Sequence, residues 1–208
     1  GVVLAKAGSK QITAYDDRDR AGKQEKFTTH SVDVTGFPPQ TPVDITLISN
    51  GKRVLTGGQP YKATTAPSIP SGSTNLEPAY GTVKGSDTLS AGGALIYLTV
   101  EGGQTLSALS NGSGNWIIPL NSLRTEDLTD YLPVTDRMTE AIIGRYNNEE
   151  VSAVTDTLND NPVPEMIMGK TYDFRKTQAK VVGLDVAMRP VTPDPAVLGQ
   201  TARSFEVS

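Results

Sequence analysis

The stretch Ser107–Leu120, SALSNGSGNWIIPL, places a polar run, a glycine turn and an apolar run side by side. A glycine-rich loop binds phosphate when a helix follows it, because free backbone N–H groups and the helix dipole then face the anion. Here the loop is followed by WIIPL, in which tryptophan and two isoleucines favour a strand and Pro119 opposes a helix. The sequence therefore predicts a turn that joins two antiparallel strands.

Strand signals recur at short spacing along the rest of the chain. Apolar or alternating runs such as VDITLIS and ALIYLTV are separated by turn pairs, including Asn50-Gly51, Gly92-Gly93 and Asn147-Asn148. This spacing is typical of an all-β sandwich. Asn50-Gly51 predicts the clearest hairpin, because both residues tolerate the positive φ of a type I′ turn. In residues 121–132, NSLRTEDLTDYL, leucines among acidic residues instead predict a short helix.

Composition narrows the function classes. The 208 residues carry a net charge of −4 and no cysteine. The charge gives no general attraction to nucleic acid or anionic membranes, and the absent thiols exclude disulfides and thiolate zinc sites. The longest apolar runs are less than half a membrane span, and nothing at the N-terminus resembles a signal peptide. A start at Gly1 without methionine suggests a processed product or a fragment.

Proline and small polar residues in APSIPSGSTNLEPA, residues 66–79, have the composition of a linker. We expect two β-sandwiches in series with an extended C-terminal tail, divided into 1–67, a linker at 68–78, a second sandwich at 79–168 and a tail at 169–208. Within the tail, KVVGLDVAM alternates as an extended strand does, and one face carries Val182, Leu184, Val186 and Met188.

Residues 1–67 resemble the later part of a fibronectin type III domain. HSVDVTGFPPQTPVDITLIS, residues 30–49, and YKATTAP, residues 61–67, carry the resemblance. It implies a strand over HSVDV, a proline corner and a closing strand, with Val43 where the family has its corner tyrosine. GVVLA fits the family's third strand and nothing matches the first two, so the resemblance implies an incomplete sandwich.

Residues 79–168 are similar to the transthyretin-like sandwiches of carboxypeptidase regulatory-like and Cna B-type modules. The similarity is carried by YGTVKG, GGALIYLTV, TLSALSNGSGNWIIPL, EAIIGRY and VSAVTDT. It makes Gly114 a turn glycine and Trp116 a core aromatic. Some Cna B-type domains form a Lys-to-Asn isopeptide bond with help from a buried glutamate. The matching position here is Leu120, so Lys84 is expected to be a solvated strand-end residue.

Catalytic and metal-ligating residues are few. His30 is the one histidine, and no G-x-S-x-G or H-E-x-x-H spacing accompanies it, so we predict a surface residue at the start of a strand. Two groups of residues carry side-chain oxygens that could bind calcium, but a simpler role explains the acidic residues in each group. In YDDRDR the interleaved arginines satisfy the charges, and DTLNDNP is typical of a turn. These groups contain Asp16, Asp17, Arg18, Asp19 and Arg20, and Asp156, Asn159, Asp160 and Asn161.

A sandwich that lacks strands exposes an open edge and an uncovered core face. KVVGLDVAM, or the terminal RSFEVS, could add to the first domain of a neighbouring copy by β-strand donation, and head-to-tail addition would build a filament. The alternative is that both ends are cuts through a longer multidomain surface protein.

The resemblances imply a non-catalytic structural module of a bacterial extracellular cell-surface protein, a stalk, spacer or filament subunit without a cofactor. Its expected partners are copies of itself or neighbouring domains, with no nucleic acid and no membrane insertion. A carbohydrate- or protein-binding adhesin is the alternative function. The tyrosines are scattered over separate segments, so an isolated aromatic such as Trp116 is better explained by a sandwich core.

Overall fold

The computed structural model describes residues 1–19, 25–135 and 137–175. These residues form strands and turns without a helix, so the predicted all-β class is confirmed. The strands of the N-terminal part are β1 (Val2–Ala7), β2 (Lys10–Tyr15), β3 (Pro42–Ser49), β4 (Lys52–Val54) and β5 (Tyr61–Thr64). Those that follow are β6 (Ala79–Lys84), β7 (Leu95–Val100), β8 (Thr105–Leu109), β9 (Asn115–Ile118), β10 (Thr139–Tyr146), β11 (Glu149–Asp156), β12 (Val163–Ile167) and β13 (Thr171–Asp173).

Strands β1 to β5 form one sheet, called here the N-terminal sheet. Its order is β2-β1-β3-β4, and β5 also pairs with β3. Asn50 and Gly51 have φ angles of 49° and 72° and form the predicted hairpin between β3 and β4. The strand predicted over HSVDV is wrong. Asp17 donates its backbone N–H to the Ser31 carbonyl and accepts the Asp33 N–H on its carboxylate, so this backbone bonds to the end of β2 instead of a ladder.

Strands β6 to β13 form the C-terminal sandwich. A five-stranded sheet, β13-β11-β10-β7-β8, faces a three-stranded sheet, β12-β6-β9. Alternate side chains of β6, β7, β9 and β10 point inward, and the buried set includes Val83 on β6, Ile96 and Leu98 on β7, Ile118 on β9 and Ile142 on β10. Trp116 is 3% exposed in this core, as predicted.

The hairpin predicted within Ser107–Leu120 is wrong. Strand β8 pairs with β7 and β9 pairs with β6, so residues 110–114 cross from one sheet of the sandwich to the other. Val83 on β6 donates its N–H to the Gly114 carbonyl at 2.9 Å, which draws the chain to the second sheet. Gly114 has a φ of 80°, and a Cβ there would lie 2.3 Å from the Val83 carbonyl oxygen. The crossing therefore requires glycine.

The helix predicted for residues 121–132 is also wrong. Leu123 and Leu132 are both buried, and the Leu132 N–H donates to the Leu123 carbonyl at 3.0 Å. Between them the Asp127 carboxylate accepts hydrogen bonds from the Thr125 and Thr129 hydroxyls at 2.7 and 2.8 Å. Side-chain bonds of this kind satisfy a turn in place of helical backbone bonds. The two leucines reach the core through a loop.

Two strands have weak sequence signals. Strand β12 follows Pro162 and contains Pro164, residues that disfavour a strand because they lack an N–H group. It pairs parallel to β6, with a register shift between Val163 and Met166 that spans Pro164. The three-residue strand β13 pairs parallel to β11. Both pairings depend on distant parts of the chain.

Residues 68–78, predicted to be a linker, make specific contacts. The Thr74 hydroxyl donates to the Leu120 carbonyl at 2.7 Å, and Leu76 packs against the sandwich core. Arg124 Nη1 donates to the Pro67 carbonyl, also at 2.7 Å. The described residues, from 1 to 175, belong to one compact unit. The described part of the chain contains no helix of the length and apolarity needed to cross a membrane.

Candidate functional site

One face of the N-terminal sheet collects apolar side chains from all five strands. Val3, Ala5 and Val43 are its buried members. The strand register places neighbouring residues on the same face, since directly paired residues share a side. These are Ile12 and Ala14 on β2, Ile45 and Leu47 on β3, Val54 on β4, and Tyr61 and Ala63 on β5.

The irregular segment 25–39 lies over the β1–β2 half of this face. A Cβ on Gly36 would lie 3.5 Å from Ile12 Cδ1, and the Lys10 ammonium donates to the Gly36 carbonyl. At the other end of the segment, the His30 ring lies against Gly1. These contacts shield one half of the face.

The other half, formed by β3, β4 and β5, is only partly shielded. Val54 is 42% exposed and Tyr61 is 38% exposed, and Ile45, Leu47 and Ala63 are half-buried or exposed. We call these five residues the bare patch. Contiguous exposed apolar side chains on a sheet mark an interaction surface or an aggregation risk. The predicted donor residues, Val182, Leu184, Val186 and Met188, lie outside the described residues.

Asp16 organises the turn after β2. Its side chain accepts hydrogen bonds from Arg18 Nε and Nη2 at 2.8 and 3.0 Å, and its Oδ2 lies 2.9 Å from His30 Nδ1. Burial alone would raise the pKa of Asp16, but the hydrogen bonds from Arg18 and His30 outweigh it and hold that pKa well below its usual range. Arg18 also stacks over the Phe27 ring at 3.7 Å. The predicted pairing of the Asp16 charge with Arg18 is therefore present, and Arg20 lies outside the described residues.

The other two carboxylates of this group have separate partners. Asp17 accepts from the Ser31 hydroxyl at 2.8 Å, and Asp19 accepts from the Glu25 backbone N–H at 2.9 Å. Across the described residues, no group of three or more His, Cys, Asp or Glu side chains is arranged to hold a metal ion. The acidic residues near β2 instead anchor the segment 25–39.

His30 lies in this irregular segment and does not open a strand, in contrast to the prediction. Within the described residues, its ring has one hydrogen-bond partner, Asp16. An imidazole held through Nδ1 by a buried carboxylate is the orientation that a catalytic triad uses, but no described hydroxyl is hydrogen-bonded to the ring. The pair fixes the segment over the sheet. Next to it, the Thr29 hydroxyl donates to the Gly93 carbonyl at 2.7 Å and joins this region to the C-terminal sandwich.

A second group of carboxyls, which we call the buried acid cluster, lies at one end of the C-terminal sandwich. Glu140, Asp156 and Asp160 are 0%, 1% and 5% exposed. Asp156 Oδ1 accepts from the Leu158 N–H at 3.1 Å and from Asn159 Nδ2 at 2.7 Å, so the turn predicted after β11 is present. Asp156 Oδ2 lies 3.6 Å from Arg137 Nε.

Glu140 is the member of the cluster that sequence analysis missed. Neither of its carboxyl oxygens accepts a hydrogen bond from the described residues. Burial, followed by the nearby charge of Asp160, raises the pKa of Glu140 to about 8. Burial also raises the pKa of Asp160, to about 6. The available signal was the alternation of EAIIGRY, in which the inward positions Ile142 and Gly144 place Glu140 on the same inward side.

The positions matched to an isopeptide bond have other surroundings. Lys84 Nζ lies 3.0 Å from Glu165 Oε2, with about a third of the lysine side chain exposed. Leu120 is fully buried in the core. Lys84 is thus a partly solvated strand-end residue, paired with a carboxylate on β12.

An open groove lies at the end of the five-stranded sheet. Its lining includes the hydroxyl residues Thr99, Thr105 and Thr139 and the carboxylate of Glu126. No aromatic side chain belongs to the described residues that line it. The groove therefore lacks the stacking platform typical of sugar recognition. In comparisons with known proteins, no family model, curated protein or solved structure matches this chain.

Proposed function

We propose that this chain is a non-catalytic structural module of a bacterial extracellular surface protein, and that copies assemble by β-strand donation. The C-terminal segment of one copy adds to the N-terminal sheet of the next. The bacterial and extracellular assignment rests on the resemblances to fibronectin type III and transthyretin-like modules.

The observation that carries the proposal is the bare patch. Val54 and Tyr61 are 42% and 38% exposed on a face whose other half is shielded by segment 25–39. Apolar surface of this kind is stabilised when a partner removes it from water, by about 25 cal/mol for each Å². An extended apolar strand fits such a surface, because its backbone pairs with the open edge at β4 and β5 while alternate side chains pack beside Val54 and Tyr61 on the apolar face.

The proposed donor is KVVGLDVAM, residues 180–188. Its alternation presents Val182, Leu184, Val186 and Met188 on one side, which matches the period of the receiving strands. Donation within one copy would give a closed monomer, whereas donation between copies would give a chain of subunits.

A mixing experiment with two variants tests the proposal. Leu184→Asp damages the donor but leaves the receiving face intact, and Val54→Asp damages the receiving face but leaves the donor intact. Wild-type protein should form fibres visible by electron microscopy, and neither variant alone should do so. An equal mixture should give dimers by light scattering, because one functional donor meets one functional face. Ile117→Asp, at an exposed apolar site on β9, is the matched control and should still form fibres.

Dispersed wild-type monomers would contradict assembly by donation between copies. Fibres that persist after deletion of residues 179–208 would contradict donation by the tail. Dispersed monomers with an intact C-terminal sandwich would support the alternative of a segment cut from a longer protein.

A further inference from the structure

We propose that Glu140 and Asp160 form a proton-dependent latch at one end of the C-terminal sandwich. The latch is closed while Glu140 is protonated and loosens when both carboxyl groups are ionised. This inference concerns the stability of the sandwich and does not depend on strand donation.

The two residues connect the two sheets. Glu140 lies on β10, in register with Val100 on β7 and Thr155 on β11, and its side chain is buried between the sheets. Asp160 lies in the turn between β11 and β12, and its carbonyl accepts the Tyr80 N–H of β6 at 3.0 Å. A hydrogen bond between their carboxyl groups would therefore tie the central strand of the five-stranded sheet to β6, the central strand of the other sheet.

The charged groups around the latch are mostly acidic. The charge of Asp156, at the end of β11, raises the pKa of both carboxyls, and the charge of Glu77, which precedes β6, raises that of Asp160. Glu77 also accepts from Asn161 Nδ2 at 3.0 Å. The cations nearby have carboxylate partners, since Arg137 lies beside Asp156 and Arg175 binds Asp173. The surroundings thus favour a neutral form of Glu140.

Protonation would give the unpartnered Glu140 carboxyl a hydrogen-bond partner. A neutral Glu140 can donate its O–H to the Asp160 carboxylate, which gives one hydrogen bond and a single shared negative charge. When Glu140 loses this proton, two buried carboxylates face each other in a medium of low dielectric constant. Repulsion then opposes the sheet contact.

The sign of the pH dependence follows from the raised pKa of Glu140. In the unfolded chain this group titrates near its ordinary value of 4.5, and in the folded chain near 8. The folded state therefore holds an extra proton between these values, and the stability it provides is lost as the pH rises through this window. Asp160 acts in the same direction over a lower window, from 3.8 to about 6.

The test is thermal unfolding of the full chain between about pH 5 and pH 8.5. The wild-type Tm should fall by about 5 °C or more across this range, whereas Glu140→Gln should remove most of that fall, because a neutral amide cannot ionise. Glu150→Gln, at an exposed glutamate on the neighbouring strand β11, is the control and should keep the wild-type slope. Parallel curves for wild type and Glu140→Gln would overturn the proposal.

Two measurements on the wild-type protein test the proposal even if Glu140→Gln does not fold. Amide exchange at Tyr80, corrected for its intrinsic pH dependence, should show protection that weakens above about pH 7. A ¹³C titration should give a Glu140 carboxyl that stays protonated well above the ordinary pKa of 4.5. An ordinary titration would overturn the latch. So would a rise in the wild-type Tm with added calcium at pH 8 that Glu140→Gln lacks, because the cluster would then be a cation site.

Discussion

The N-terminal sheet and the C-terminal sandwich are built from similar strands but differ in how they bury them. In the sandwich, two sheets face each other and share a core whose residues run from Ala79 to Met168. In the N-terminal sheet, Val3, Ala5 and Val43 are buried beneath an irregular segment, while the bare patch stays partly exposed. Alternation therefore makes a strand amphipathic, but a second layer is needed to complete a core.

The buried carboxyl groups of the two regions also differ in their partners. Near the N-terminal sheet, the buried Asp16 carboxylate is matched by Arg18 and His30. In the sandwich, the buried Glu140 carboxyl accepts no hydrogen bond from the described residues, and the charge of Asp160 helps to raise its pKa. We expect the first region to be weakened by acid and the second by alkali.

The largest effect should come from truncating matched leucines in the two regions. Leu98→Ala, in the sandwich core, should lower the free energy of unfolding by about 3 kcal/mol, because it leaves a cavity among buried side chains. Leu47→Ala, in the half-buried bare patch, should cost about 1 kcal/mol in the monomer, because its surroundings are already solvated. Urea denaturation of both variants measures the difference. Equal losses would contradict the contrast between a complete core and a partial one.

The next largest effect on the free energy of unfolding should come from the loop that crosses between the two sheets of the sandwich. Gly114→Ala should lower the free energy of unfolding by about 2 kcal/mol or more, because of the positive φ and the contact with the Val83 carbonyl. Gly112→Ala, in the same loop, is the control. A Cβ there meets nothing within 4 Å, so its unfolding should match that of the wild type. Similar unfolding of both variants would mean that the crossing is not tightly constrained.

Asp16→Asn tests the charge pairing beside the N-terminal sheet. Losing a charged acceptor of Arg18 should cost about 2 kcal/mol near neutral pH. Because the folded-state pKa of Asp16 is depressed, its stabilisation is present above its unfolded value of 3.8 and is lost as the pH falls below it. Wild type and variant should thus converge in acid, as measured by urea denaturation across pH. A constant difference down to the lowest pH would contradict the pairing.

The smallest effect concerns the junction between the two regions. Thr29→Val removes the hydrogen bond to the Gly93 carbonyl, which is worth about 1 kcal/mol. We expect calorimetry to show less overlap between the unfolding of the two regions. Thr28→Val, at the exposed neighbour, should leave the transitions unchanged. If both variants behave like wild type, this hydrogen bond does not couple the regions.

Most strands could be predicted from the sequence, because alternation and turn residues act over a few neighbouring positions. The runs VDITLIS and ALIYLTV correctly predicted β3 and β7, and Asn50-Gly51 correctly predicted the turn between β3 and β4. Two of the errors share one cause: Ser107–Leu120 and residues 121–132 carry local signals that distant contacts with β6 and with the core override. Strand β12 was not predicted, because Pro162 and Pro164 disfavour a strand locally. The strand forms by pairing with the distant β6.

Local sequence patterns were sufficient to predict the all-β class, the positions of most strands, the core placement of Trp116 and the pairing of Asp16 with an arginine. These follow from side-chain periodicity and from charges close together along the chain. Three further features depend on packing between distant segments: the turn at Gly114 crosses between sheets, one half of the N-terminal sheet stays partly bare, and Glu140 is buried near Asp160. Burial and desolvation depend on which distant segments pack together, and local patterns do not specify that choice.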